Sequence, residues 1–170
     1  MRAGEIEVRP AQESDLDGVT ALATQVQTLH TEGRPDLFRP AAPDELRSYL
    51  SGCLSDGAIL LVAEHTAEGL VGYVLAEAVR RPASPFQHPH TSLYVHHIAV
   101  DGSARRQGIG DLLLQKIVEV ARREGAASIR LDSWSFNTGA HRFFEVQGFA
   151  PMRVVFERAV LDSPPGANAN

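Results

Sequence analysis

Residues 1–160 predict one mixed α/β domain of the α+β type, a central β-sheet flanked by about four helices. Three observations carry this. Short β-branched and apolar runs are bounded by turn residues. Between them lie segments with apolar residues at helical spacing. The two kinds alternate along the chain without a repeat or a linker, as a sheet covered by helices requires.

IEVRP (6–10) alternates apolar and polar residues and reads as a strand. Ser14 followed by Asp17 suits a helix start with Ser14 as cap. Leu16, Val19, Leu22, Ala23, Val26 and Leu29 follow at helical spacing, and Gly33 and Pro35 end the pattern. Pro43-Asp44 opens a second helix with Leu46, Tyr49, Leu50 and Cys53 on one side. AILLVAE (58–64) and LVGYVLAEAV (70–79) read as strands joined by the turn TAEG. RRPASPFQHPH (80–90) is a proline-rich loop, and residues 91–100 are the next strand. Gly108 to Glu124 is helical, with Gly125 as its stop. ASIRLDS (127–133) is a strand, 137–147 a helix and 149–160 a last strand. The single domain is expected over 1–160, and DSPPGANAN is expected to be a disordered tail over 161–170.

Composition removes several classes of function. Net charge is −5 with histidine neutral, which disfavours general nucleic-acid binding. Cys53 is the only cysteine, so no internal disulfide and no cysteine-held zinc is expected. No apolar run approaches the roughly 20 residues that span a bilayer, and MRAGEIEVRP has no apolar leader core. The expectation is a cytoplasmic protein without membrane contact and without a metal.

The most informative stretch is SARRQGIGDLLLQ (103–115). It places two glycines and two arginines where a strand becomes a helix. Amides at a helix start lack internal partners and lie at the positive end of the dipole. Glycine lets such a backbone approach a phosphate, and Arg105 and Arg106 add charge. A pyrophosphate cradle is one reading, and a flexible helix entry with solvated arginines is the other. A P-loop is excluded because no lysine follows the glycines. A dinucleotide fingerprint is excluded because Leu113 stands where the third glycine would be.

The stretch does match R-x-x-G-x-G through Arg105, Gly108 and Gly110. Downstream, NTGAHRFFEVQGF matches N-x-x-A-x-x-F-Y-x-x-x-G-F through Asn137, Ala140, Phe143, Gly148 and Phe149. Together with VRPA near the N-terminus and LDSWSFN before Asn137, these resemble the GNAT superfamily of N-acetyltransferases. The resemblance implies the GNAT fold, a twisted mixed sheet splayed at a V-shaped cleft between two central parallel strands. It implies acetyl-CoA as cosubstrate, with its pyrophosphate on Arg105, Arg106, Gln107, Gly108, Ile109 and Gly110. The pantetheine arm would run along Ile98, Ala99 and Val100. Asn137, Ala140, Phe143 and Phe144 would complete the cofactor side.

The resemblance also implies direct acetyl transfer to an amine. The Ile98 amide would be the oxyanion donor. Many relatives carry a carboxylate base two residues before that position, where this chain has His96 with His97 beside it. Either histidine is a candidate base, His96 preferred. Strand alternation would send the two to opposite faces, so both should not serve one substrate. Glu77 is a weaker candidate. Phe144 departs from the family's tyrosine, which would protonate the leaving thiolate. For the acceptor, LHTEGRPDLFRP offers His30, Glu32, Asp36 and Phe38, with Glu77 at the cleft. The same residues also suit a packed inter-helix loop. A non-catalytic acyl-CoA-binding or sensing module is the alternative function, and a homodimer is in keeping with the family.

Overall fold

A computed structural model describes residues 6–160. The expected tail over 161–170 lies outside the described residues. The chain divides into two compact units, Met1–Phe136 and Asn137–Asn170.

The first unit is a five-stranded sheet in the order β1-β2-β3-β4-β5. Its strands are β1 (Ile6–Pro10), β2 (Ile59–His65), β3 (Gly69–Arg81), β4 (His90–Val100) and β5 (Ser128–Leu131). Neighbours pair antiparallel except β4 with β5, which are parallel. Among the described residues β5 is therefore an edge strand. The parallel pair lies at one side of the sheet, not at its centre as expected.

Helices α1 (Leu16–Gly33) and α2 (Pro43–Ser55) cover one face, and α3 (Ile109–Arg123) covers the other. Under α1 and α2, Leu16, Val19, Leu50, Val62, Tyr73 and Leu75 are almost fully buried. Under α3, Leu93, Ile109, Leu113 and Ile117 play that part. The alternation of β3 explains the division, with Tyr73 and Leu75 facing one way and Val74 and Ala76 the other. Gly72 lets α3 approach closely. A Cβ there would stand 2.9 Å from the Ala99 carbonyl oxygen and 3.2 Å from Ile109.

Two expectations need correction. Ser14 does not cap α1. Residues 13–15 form a single 3-10 turn, and the Asp15 carboxylate accepts the Gln12 amide at 2.7 Å. Arg9 holds that carboxylate through its two terminal guanidinium nitrogens, at 2.7 and 2.9 Å, and reaches Glu64 through Nε at 2.9 Å. The longer arginine fork wins over the local serine because it ties α1 to β1 and β2 as well. The second correction is that residues 150–160 form no strand. Val154, Val155 and Phe156 favour extended backbone, but they are 69, 78 and 92% exposed and gain no neighbouring ladder.

In the second unit, α4 (Thr138–Val146) is capped by Asn137, whose side chain accepts the Ala140 amide at 3.2 Å. Phe144 is buried there, with Phe143 and Phe149 rings at 5.4 and 5.7 Å. No helix among the described residues is long and apolar enough to cross a membrane.

Asp15 sits almost buried beside Arg9, which holds its carboxyl below the usual range. That contribution is complete above the ordinary carboxylate pKa of 3.8 and fades as pH falls through the lower folded value. Asp15→Asn should cost about 2 kcal/mol at neutral pH, because it leaves Arg9 poorly paired. Urea melts should show the gap closing as the pH is lowered below 3.8.

Candidate active site

β4 organises the site. It pairs with β3 along its whole length but with β5 only from Ser92↔Ser128 to Val95↔Leu131. From His96 to Val100 its other edge has no strand partner among the described residues. This is the opening of the sheet, and Ile98, Ala99 and Val100 line it. Backbone groups along a bare edge remain available to a ligand.

At the end of that edge the chain turns into α3. A 3-10 turn (Gly102–Ala104) is held by Asp101, whose carboxylate accepts the Ser103 amide at 2.9 Å. Gln25 of α1 donates to the same carboxylate at 2.8 Å and accepts the Gly102 amide at 3.2 Å. Arg106 and Gly108 then adopt left-handed backbone, φ 62° and 79°. Gly108 is the N-cap of α3 and has no side chain with which to cap. The Leu112 amide donates to the Gly108 carbonyl at 3.1 Å. The amides of Gln107, Gly108, Ile109 and Gly110 precede it, at the positive end of the helix. Arg105, Arg106 and Gln107 are exposed around them, while Ile109 is buried and anchors the turn. A Cβ at Gly108 would meet nothing within 4 Å, so the space beside that residue is open. The turn fits an anionic group such as a pyrophosphate.

On the α1–α2 side of β4, the two histidines come together. Leu75 pairs with His97 and Ala76 with Val95, so His96 is an extra residue, a β-bulge. The bulge cancels one step of alternation. The expected opposite orientation is therefore wrong. His96 Nε2 meets Glu77 Oε1 at 3.0 Å, beside Tyr49 and Cys53 of α2, in a cleft of about 510 Å³. His97 lies on the same side, with the Tyr73 hydroxyl 3.2 Å from Nδ1 and the Tyr49 ring at 6.4 Å. Burial pushes the His97 pKa down, and His96 and His30 nearby push it the same way.

Of the acceptor-side candidates, His30 and Phe38 stack at 4.9 Å. Phe38 meets Trp134 edge-on at 5.3 Å, and Trp134 stacks on Phe136 at 6.2 Å. Burial lowers the His30 pKa, opposed by Asp132. Asp36 is exposed and pairs with Arg34 at 2.7 Å, while the Arg34 guanidinium also lies over Trp134. Glu32 is exposed. Glu77 joins His96 and not the aromatic group. Cofactor candidates Asn137, Ala140, Phe143 and Phe144 belong to the second unit, where Asn137 caps α4. Tyr73, Tyr49 and Trp134 were not among the sequence candidates. Tyr73 had a signal, since a phenol inside an aliphatic strand must bury its hydroxyl and needs a partner. Among the described residues, no group of three or more His, Cys, Asp or Glu could hold a metal ion.

The profile of the Acetyltransferase (GNAT) family matches residues 23–149, and the chain belongs to that family. Human N-acetyltransferase 8B is 32% identical over 112 residues, 66% of this chain and 46% of that protein. The chain thus spans about half the length of that relative. Among solved structures, a mutant of the BH1408 protein from Bacillus halodurans superposes with TM-score 0.82 and 26% identity, over 91% of this chain and 99% of that one. Aminoglycoside N-acetyltransferase AAC(6')-Iy, solved in complex with CoA, shares the fold at TM-score 0.71 and 18% identity, over 92% and 95%.

The aromatic group depends on Gly33. A Cβ there would run into the Phe136 ring. Gly33→Ala should therefore displace Phe136 and the Trp134 stacked on it, at a cost of about 1–3 kcal/mol. Trp134 is the only tryptophan, so its fluorescence maximum should move, and an unchanged spectrum with unchanged stability would refute the contact.

Proposed function

We propose that the protein is an acetyl-CoA-dependent N-acetyltransferase acting on a primary amine of a small molecule or peptide. One observation carries this: the open amides of Gln107–Gly110 lie at the end of the bare edge of β4. The turn would hold the pyrophosphate, with Arg105 and Arg106 adding charge-assisted contacts. The edge from Ile98 to Val100 would bind the pantetheine amides, as a β-strand accepts an extended ligand. The relatives named as N-acetyltransferases and the CoA complex of a neighbour of the same fold support the reading.

Acetyl-CoA supplies a thioester carbonyl open to attack by an amine. His96 is the proposed base. Glu77 orients its ring, and its partial exposure lets the proton leave to solvent. The Ile98 amide is the proposed oxyanion donor. His30 and Phe38 would form an aromatic wall for the acceptor. Asp36, already paired with Arg34, and the exposed Glu32 would supply negative potential around it. Phe144 brings no hydroxyl, which favours a second reading in which the protein binds acyl-CoA without turning it over.

Calorimetric titration with CoA tests the turn. Gly108→Val should weaken binding by at least roughly tenfold, because valine is strained at φ 79° and projects over the amides. Unchanged affinity would leave the turn a plain helix entry. Release of free CoA thiol from acetyl-CoA over a pooled amine panel separates the two functions. With an acceptor in hand, His96→Ala should lower kcat/KM by roughly 10²-fold and remove the acidic limb of its pH profile. An intact limb would remove His96 as base.

A further inference from the structure

The hydroxyl of Tyr73 fixes the chemistry of His97. Tyr73 is fully buried in the middle of β3, and the His97 ring is its hydrogen-bond partner at 3.2 Å. No other partner for that hydroxyl is found among the described residues. A phenol proton with no access to water must point at an acceptor. The acceptor available is Nδ1 of His97. The reverse arrangement, with Nδ1–H donating to the phenol oxygen, would leave the buried phenol proton unpaired. The preference for the first is at least roughly tenfold. If Nδ1 accepts, the proton of the neutral imidazole is on Nε2.

The groups around His97 keep it neutral. Tyr73 faces it from β3, Tyr49 from α2, His30 from α1 and His96 from its own strand. None of the four is an anion, and two are histidines. Burial acts in the same direction.

We propose that His97 is a neutral Nε2–H donor, set in that tautomer by the Tyr73 hydroxyl, and that it donates to the thioester carbonyl of acetyl-CoA. The second clause rests on the functional reading above. His97 precedes Ile98, whose amide is the proposed oxyanion donor, on the strand whose far edge is bare. A neutral imidazole can polarise a carbonyl without giving up its proton. The amine attacks the carbonyl, the C–S bond breaks and CoA leaves as its thiolate, which takes a proton from water, while the amine proton goes to His96, so no proton leaves His97. The two histidines of the bulge therefore divide the work, His96 accepting and His97 donating. Tyr73 is a positioning residue that acts through His97.

Side-chain nitrogen NMR on the ligand-free protein tests the first part. The wild type should show His97 predominantly as the Nε2–H tautomer, and Tyr73→Phe should convert it to a mixture. An Nδ1–H tautomer in the wild type overturns the inference, whatever acetyl-CoA does. The second part is read on acetyl-CoA labelled with 13C at the carbonyl. Its bound resonance should lie downfield of the free one, lose that shift in His97→Ala and keep most of it in His97→Gln, which retains an N–H donor. An equal shift in wild type and His97→Ala overturns the carbonyl contact. Failure of wild type to bind acetyl-CoA overturns the functional reading instead, and the tautomer still decides the role of Tyr73.

Discussion

The ladder between β3 and β4 is the interaction on which the site depends. It is the longest pairing in the sheet, running from Gly72↔Val100 to Arg81↔His90. β4 needs it because β5 holds only four residues of its other side. A strand tethered on one edge alone would fray if the tether were short. Here the tether runs the full length of the strand, so β4 can leave half of its second edge open and stay in place. The open half borders the turn into α3, and the bulge in the same ladder places the histidines. Gly72 serves the ladder and the turn together, since its missing side chain lets Ile109 seat the start of α3 against the sheet.

The opening and the bulge come from one geometric fact. A parallel partner and an antiparallel partner make different demands on a strand. A bulge raises the local twist and bends the strand away from a regular neighbour. Pairing with β5 stops at Val95, the residue before the bulge at His96. Departure of the neighbour and gathering of the side chains thus occur at the same point.

Much of this was legible in the sequence, for reasons that particular residues make clear. The helices announced themselves by spacing, and α3 stops at Gly125, in left-handed backbone. The turn at Arg105–Gly110 was legible because glycine, charge and the onset of an apolar run coincide there. The bulge was not. It is a property of two strands in register, and alternation within residues 91–100 cannot show which residue will be left without a partner. The segment at 150–160 misled for a related reason. Its residues favour extended backbone, but a strand also needs an edge to join, and β-propensity is silent on that. Ser14 gave way to Asp15, which takes the Gln12 amide and is held by a guanidinium from another element.

The bare edge of β4 also bears on how the protein keeps company with itself. A row of unpaired backbone groups is a template on which a second polypeptide can lay down a strand. Long flat edges invite ordered aggregation, and proteins blunt them with bends and charge. The bulge at His96 and the exposed arginines beside Val100 do both here. A small molecule seated along Ile98–Val100 would do so more completely, by occupying the same amides and carbonyls. Its concentration would then set colloidal behaviour as well as heat resistance, since a ligand of the folded state raises stability in proportion to the logarithm of its excess over Kd. Solubility and occupancy of the cleft become one physical question.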